Sequence, residues 1–339
     1  MDHWFSKNLP SKFLIYVALV AFVSFGSVYL YVWKCLAYDK LPVADDGYEL
    51  FVEPGTSLRQ FINQLQTSGI VNHPDLLLVY VILSNNASHI KAGEYKISPG
   101  TTSLQLLDQV VAGLVTQYPF TIVEGLQTRQ VLEKLQQHPK IKATLVGKSS
   151  VEIIKELNIP VEHLEGIFLP ETYFFKAYTT DLEFLRRAYF SMQKKLDLAW
   201  QQRDPDCILK SPFEALILAS IIEKESSVKG EYAEISGVYQ RRLVNGMKLQ
   251  ADPTVIYALQ DKLTGPLLIK HLSLDSAYNT YKFKGLPPTP IAIPSMAAVD
   301  AALHPAPGES LYFVATGAGD HVFSKTLAEH NKAVRKMRH

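Results

Sequence analysis

From Phe13 to Trp33 the chain reads FLIYVALVAFVSFGSVYLYVW, 21 residues without a charge. A helix needs about 20 apolar residues to cross a hydrocarbon core of about 30 Å. Lys12 and Lys34 close the run, and Tyr29, Tyr31 and Trp33 gather at its far end, where amphipathic rings favour the headgroup region. A cleaved signal peptide has a shorter apolar stretch followed by a small-x-small site. Neither feature is present, and Val32-Trp33-Lys34 before Cys35 does not fit lipoprotein processing. The run reads as an uncleaved signal anchor, with a buried core helix as the alternative. Lys7 and Lys12 precede it, and Lys34 and Lys40 follow, so basic residues alone do not orient it. The short N-terminal tail and large following domain favour export of everything after about Cys35.

Beyond the anchor, residues 34–47 are polar, carry Pro42 and Gly47, and read as a juxtamembrane linker. Tyr48-Glu49-Leu50-Phe51-Val52 then predicts a strand, Pro54-Gly55 a turn, and Leu58, Phe61, Ile62 and Leu65 one apolar helical stripe. Thr56 or Ser57 would cap that helix and Gly69 would end it. The pattern recurs in Glu94-Tyr95-Lys96-Ile97-Ser98, then Pro99-Gly100-Thr101-Thr102-Ser103, then a helix with Leu104, Leu107, Val110 and Val111. A looser third copy runs from Phe120-Thr121-Ile122-Val123 through Gly125 to Val131, Leu132 and Leu135. Strand–turn–helix units of this kind predict a small α+β module. Residues 141–212 read as mostly helical, interrupted by an aromatic loop from Leu164 to Phe175, and Phe184–Gln202 reads as an amphipathic surface helix.

Pro212 opens a further helix at its favoured first-turn position. Its end carries Glu223 and Glu225, two residues apart and so about 200° apart around the axis. Ile217, Ile221 and Glu225 are spaced by four, with Val228 three beyond, so Glu225 continues the apolar face. Glu223 shares a side with Ala219, Ser220, Ser226 and Ser227, read as smaller, more polar and more hydrated. A carboxyl at the end of an apolar stripe is desolvated, which raises its pKa toward the range of a general acid. A glutamate that merely emerges at the rim of the core gives the same pattern.

Composition narrows the function classes. The 339 residues suggest about two domains, and 47% hydrophobic with 20% charged residues excludes wholesale disorder. A net charge of +1 removes the basic surplus on which nucleic-acid binding rests. Two cysteines, Cys35 and Cys207, are too few for a disulfide framework.

Several blocks together resemble one family. Ser220-Ile221-Ile222-Glu223-Lys224-Glu225-Ser226 resembles the helix-borne Glu-Ser motif of lytic transglycosylases. Gly246 to Tyr257, with Leu249-Gln250-Ala251-Asp252-Pro253-Thr254-Val255, resembles a block of the YceG-like endolytic murein transglycosylases. Tyr278-Asn279-Thr280-Tyr281 with Gly285-Leu286-Pro287-Pro288-Thr289-Pro290-Ile291 resembles another, and His304-Pro305, Leu311 to Val314, His321 to Phe323 and His330 to Lys332 follow in order. Thr289 stands where that family commonly has Gly. The resemblance implies an α+β protein with a cytoplasmic tail (1–12), a transmembrane anchor (13–33), the linker (34–47), a LysM-like α+β module (48–118) and a mixed α/β catalytic domain (119–339). It implies Glu225 as catalytic acid–base, with Glu223 as runner-up. Glu171, Tyr173, Gln250, Asp252, Tyr278, Asn279 and Tyr281 become candidate cleft residues, since sugar sites combine fixed polar groups with aromatic surfaces. Asp252-Pro253-Thr254 has a second reading as a helix cap.

The implied reaction cuts the β-1,4 bond between N-acetylmuramic acid and N-acetylglucosamine and leaves a 1,6-anhydro end. The resemblance also implies endolytic cutting that terminates nascent strands, a bacterial inner-membrane location with the catalytic domain outside the cytoplasm, and partners among penicillin-binding proteins and glycan polymerases. No cofactor is implied, and His271, His304, His321 and His330 lack metal-ligand spacing. Gly317-Ala318-Gly319 reads as a hairpin turn, and Lys332–His339 as a solvated helix end. The alternative function is a membrane-tethered, LysM-like glycan-binding scaffold without catalysis.

Overall fold

Helix α1 (Ser11–Trp33) leaves its apolar side chains in the open, with Phe22 78% and Phe25 76% exposed. That excludes the core-helix alternative: the helix is long and apolar enough to cross a membrane and is not covered by protein. The computed structural model describes residues 11–84, 90–317 and 319–337. Residues 1–10 of the expected cytoplasmic tail, Ala318 of the expected hairpin turn, and Arg338 and His339 of the expected helix end lie outside them. The chain divides into two compact units, Met1–Tyr118 and Pro119–His339.

In the first unit α1 passes into a single π-helical turn, Lys34–Tyr38. Strand β1 (Tyr48–Val52), helices α2 (Leu58–Thr67) and α3 (Pro74–Leu83), strand β2 (Gly93–Ile97) and helix α4 (Ser103–Ala112) follow. The two strands pair antiparallel, with Tyr48 opposite Ile97 and Leu50 opposite Tyr95. Leu50, Val52, Phe61, Leu65, Tyr95 and Ile97 lie in one core with Leu106, Leu107 and Val110. The sequence repeat is a structural repeat. Gly55 and Gly100 both turn at positive φ, 85° and 86°. Ser57 then caps α2 by accepting from the Gln60 N–H, and Thr102 caps α4 by accepting from the Gln105 N–H. On α4 the buried face is Leu106, Leu107 and Val110, one position off the expected stripe, and Leu104 and Val111 are only partly covered.

One expectation is revised here. Residues 34–47 are not a free linker at their start: Cys35, Leu36 and Leu41 are buried, and the Leu41 N–H donates to the Thr101 carbonyl at 2.8 Å. Helix α3 gave no periodic signal because Leu76 to Leu83 is apolar throughout; only Leu77 and Val81, four apart, are fully buried.

The second unit opens on β3 (Gln117–Thr121), α5 (Thr128–Gln136), β4 (Ile141–Lys142), α6 (Ser150–Leu157), β5 (Thr172–Lys176), β6 (Thr179–Thr180) and α7 (Asp181–Gln201). It continues through α8 (Pro212–Glu225), α9 (Tyr232–Val244), α10 (Asp252–Leu259), α11 (Met296–Leu303), the hairpin β7 (Tyr312–Ala315) and β8 (His321–Ser324), and α12 (Leu327–Met337). The aromatic loop contains a strand: β5 pairs with β3, burying Tyr173 and Phe175 while Phe174 points out. Strand β4 pairs parallel with β6, and β7 antiparallel with β8. Helix α7 is amphipathic as expected, but its apolar face of Phe184, Leu185, Ala188, Tyr189, Met192 and Leu196 is buried in the core. Helix α8 is surrounded, packing against α7, α9, α10 and α11, and every residue from Ala215 to Ile222 is buried.

Asp181, at the first turn of α7 and 0% exposed, ties α7 to the segment before α6. It accepts from the Thr144 N–H at 2.9 Å, the Thr144 hydroxyl at 2.6 Å and the Leu145 N–H at 3.0 Å. Asp181→Ala would strand these donors in the interior and lower unfolding stability by about 2–4 kcal/mol. The shift of the urea midpoint of the full chain checks this; a change under about 0.5 kcal/mol would contradict it.

Candidate active site

The site is built where α8 ends. Ser211 caps α8, accepting from the Glu214 N–H, and Pro212 fills the first turn. The last helical residue is Glu225; Ser226 is extended (φ −134°, ψ 145°), so the chain leaves the helix as soon as the carboxylate has been delivered. The Tyr239 hydroxyl, from the buried face of α9, donates to Glu225 Oε1 at 2.6 Å. Burial pushes the Glu225 carboxyl up to about 7; Asp252 adds to this, and the Tyr239 hydrogen bond and Arg242 oppose it. A carboxylate at a helix C-terminus also faces the negative end of the helix dipole. Glu225 itself retains intermediate exposure, so its carboxyl is desolvated yet reachable.

Arg242 would neutralise this carboxyl if it paired with it, but its donors are committed elsewhere. Its guanidinium bonds the carbonyls of Leu311 at 2.6 Å and Leu249 at 2.7 Å and lies over the Tyr312 ring at 5.1 Å. These bonds clamp the segment leading into α10. There Gln250 adopts a left-handed φ of 54°, a conformation a non-glycine residue keeps only when its surroundings enforce it. The enforcing contacts are the Gln250 N–H to the Thr280 carbonyl at 3.2 Å and the Ala251 N–H to the Thr280 hydroxyl at 2.9 Å. Helix α10 then starts on the exposed Asp252, whose Oδ1 accepts from the Tyr281 hydroxyl at 2.6 Å. Asp252 and Tyr281 both act electrostatically on Glu225 or its partner Tyr239. Glu225, Tyr239, Arg242, Gln250, Asp252 and Tyr281 therefore form one connected group with a single proton-poised carboxyl at its centre.

Residues 50–336 match the YceG-like family. The chain belongs to the YceG-like family. A Bacillus subtilis protein named endolytic murein transglycosylase is 32% identical over 303 residues, covering 84% of this chain and 83% of the relative. A Streptococcus pneumoniae protein of the same name is 25% identical over 365 residues, covering 97% of this chain and 65% of the relative, so the chain spans about two thirds of that protein. The crystal structure of a yceG-like protein from Listeria monocytogenes, 28% identical, superposes with a TM-score of 0.53 over 85% of this chain and 99% of the other.

Among the family motifs, the other expected residues divide by their contacts. Glu223 is half-buried, and its carboxylate is hydrogen-bonded. Its Oε2 accepts from the Ser295 N–H at 3.0 Å and the Ser295 hydroxyl at 2.5 Å, and Oε1 from the Tyr232 hydroxyl at 3.4 Å. The side it shares is only partly hydrated: Ser220 and Ser226 are buried, with Ser220 accepting from the Ile291 N–H at 2.9 Å, while Ser227 is exposed. The expectation holds only past the helix end, because α8 is buried from Ala215 to Ile222 and Ser220 meets backbone there. Val228 does not extend the apolar face; it lies beyond the helix end and is 38% exposed. Asn279 is fully buried and staples its own loop, donating to the Leu272 and Leu274 carbonyls at 3.0 and 2.7 Å. Glu171 pairs with Lys195, and the Tyr173 hydroxyl donates to the Leu169 carbonyl at 2.9 Å, so both make their contacts on the β5 side. The histidines make separate contacts: His271 accepts from the Leu268 N–H, His304 bonds the Gln202 and Asp300 carbonyls, His321 pairs with Glu231, and His330 stacks on Tyr312.

Sequence reasoning missed Glu165. It accepts from the Thr128 N–H at 2.8 Å and the Tyr257 hydroxyl at 3.2 Å, and burial raises its pKa. A cavity of about 610 Å³ beside it is also lined by Tyr257, Tyr278 and Thr289, though not by Glu225. Thr289 is buried, and its hydroxyl bonds that of Tyr278 at 2.8 Å, so this departure from the family pattern holds an aromatic wall. The signal was the Glu165-Gly166 pair: Gly166 turns at φ 75° with Pro290 so close that an added Cβ would come within 2.4 Å of it. Glu223 bonds Ser295, the residue that caps α11, so Glu223→Ala should lower unfolding stability by about 1–3 kcal/mol. Chemical denaturation measures this, and an unchanged midpoint would contradict the capping role.

Proposed function

We propose that the protein is a membrane-anchored peptidoglycan lytic transglycosylase in which Glu225 is the acid–base group. The observation that carries this reading is a desolvated carboxyl with a pKa near 7, accepting one tyrosine hydrogen bond at the end of a buried helix. The names of its relatives point the same way. Protonated Glu225 donates to the glycosidic oxygen between N-acetylmuramic acid and N-acetylglucosamine as the C1–O bond breaks. The carboxylate so formed takes the proton of the muramic C6 hydroxyl, whose oxygen bonds C1. The product is a 1,6-anhydro end; no water is consumed, and the acid is restored. Ordinary glycosidases need two carboxylates flanking the bond, whereas here one group serves both steps because the nucleophile belongs to the sugar. Tyr239 is a positioning residue, holding Oε1 while the other oxygen stays free for the proton. Gln250, Asp252, Tyr278 and Tyr281 are assigned to the glycan cleft.

Residues 13–33 anchor the chain in the bacterial inner membrane with the catalytic unit outside the cytoplasm, and residues 48–118 form a LysM-like glycan-holding module. Cutting within nascent strands would terminate them, close to penicillin-binding proteins and glycan polymerases.

The full chain, incubated with purified peptidoglycan, is expected to release anhydro-ended fragments detectable by mass spectrometry. Glu225→Gln should lower that rate about 10²–10⁴-fold; release at the wild-type rate would remove Glu225 from the mechanism, and binding without new ends would favour a scaffold. Because the acid must be protonated in the free enzyme, kcat/KM should fall as pH rises through about 7. Tyr239→Phe removes a hydrogen bond that favours the charged carboxylate, so the Glu225 pKa should rise and the descending limb should move to higher pH. A uniform loss of rate with an unmoved limb would mean that Tyr239 is structural only.

A further inference from the structure

The first unit carries an apolar surface that the catalytic reading does not use. Helix α3 has Val79 53%, Ile82 58% and Leu83 80% exposed, and no charge from Leu76 to Leu83. At ten residues it is too short to cross a bilayer; Leu77 and Val81 join the core of the first unit, and the opposite face is left as apolar surface, as in an interfacial element. Its position says what covers it. The start of α3 lies at the end of α1: the Tyr31 and His73 rings meet at 6.5 Å, and ligand atoms of Cys35, Asp39 and His73 come within 4.8 Å of one another. From there α3 runs back beside α1. Leu76, Val79, Tyr80, Leu83 and Ser84 form one wall of a groove of about 480 Å³, and Phe25, Val28, Tyr29, Val32 and Trp33 form the other. Phe25 to Trp33 spans about 12 Å at 1.5 Å per residue, as does Leu76 to Ser84.

We propose that this groove takes the acyl chains of membrane phospholipid, and that α3 lies in the leaflet at the C-terminal end of α1. The proposal rests on α1 being a membrane anchor. Where α1 is in lipid, the groove it shares with α3 is at the same depth, and acyl chains fill it. The polarity runs the right way. Asp75 and His73 stand at one end of α3, beside the Tyr29, Tyr31 and Trp33 cluster that marks the interface; from Leu76 to Leu83 only Tyr80 carries a polar side-chain atom, and Ser84 caps the far end. The lipid thereby fixes the first unit at the bilayer surface by two elements rather than by a single flexible tether.

The test uses the full wild-type chain, one copy per nanodisc, with a phospholipid carrying a photoreactive diazirine on its acyl chain. After irradiation, adducts are mapped by mass spectrometry. Adducts on the Leu76–Leu83 segment are expected at least fivefold above those at Val151, which is 75% exposed but lies in the second unit. Adducts on α1 without adducts on α3 would overturn the proposal, and would mean that protein, either the rest of the chain or another partner, covers α3. Absence of adducts on α1 as well would overturn the anchor reading with it. Val79→Asp together with Leu83→Asp should lower the α3 adducts at least fivefold and leave those on α1 unchanged; equal labelling of α3 in this variant would also contradict insertion.

Discussion

On the proposed reading, the second unit depends on keeping one carboxyl dry without hiding it. Glu225 is desolvated because α8, buried from Ala215 to Ile222, packs on α7, α9, α10 and α11. Burying an ionisable group costs several kcal/mol unless it is neutralised or hydrogen-bonded. Here the structure supplies one neutral donor, Tyr239, and withholds the nearby cation by occupying Arg242 with backbone carbonyls. An ion pair would have held Glu225 as a carboxylate; a lone tyrosine bond leaves it able to carry a proton at neutral pH. The strained Gln250 and the Thr280 contacts follow from the same need, since they fix the segment that brings Asp252 and Tyr281 up to the carboxyl.

The two glutamates on α8 show how position on a helix separates chemistry from architecture. Two residues apart, they point to different neighbours. Glu223 meets the start of α11 and is satisfied by the Ser295 N–H and hydroxyl, a bonding pattern that fixes a helix end. Among the described residues, the Glu225 carboxylate accepts from Tyr239 alone. The difference in partners, more than in burial, is what fits one to structure and, on the proposed reading, the other to proton transfer.

Much of this was legible in the residues, for physical reasons that can be named. The spacing of Ile217, Ile221 and Glu225 placed the acid on a packed face, and Pro212 marked the helix start. The two Pro-Gly-Thr turns marked the caps of α2 and α4. Periodicity failed where an element is apolar or largely buried: α3 has no polar face to set a phase, and Ser220 and Ser226, on the side of α8 read as hydrated, are interior. Contacts distant in sequence were out of reach by construction. Glu165 bonding Thr128 and Tyr257, Asn279 stapling its loop, and Thr289 bracing Tyr278 all join segments that no local pattern connects.

On the proposed reading, a tether changes what the cleft has to accomplish. Confining an enzyme to the surface where its polymer lies raises the effective concentration of substrate without any added contact. Tight recognition by a charged pocket is then unnecessary, and the near-zero net charge of the chain agrees with binding through hydroxyl, acetamido and ring surfaces. The selectivity of the reaction then rests on geometry at one oxygen. Whichever hydroxyl lies within reach of the free Glu225 oxygen after the bond breaks becomes the nucleophile, and a muramic C6 hydroxyl already attached to the reacting ring needs no site of its own.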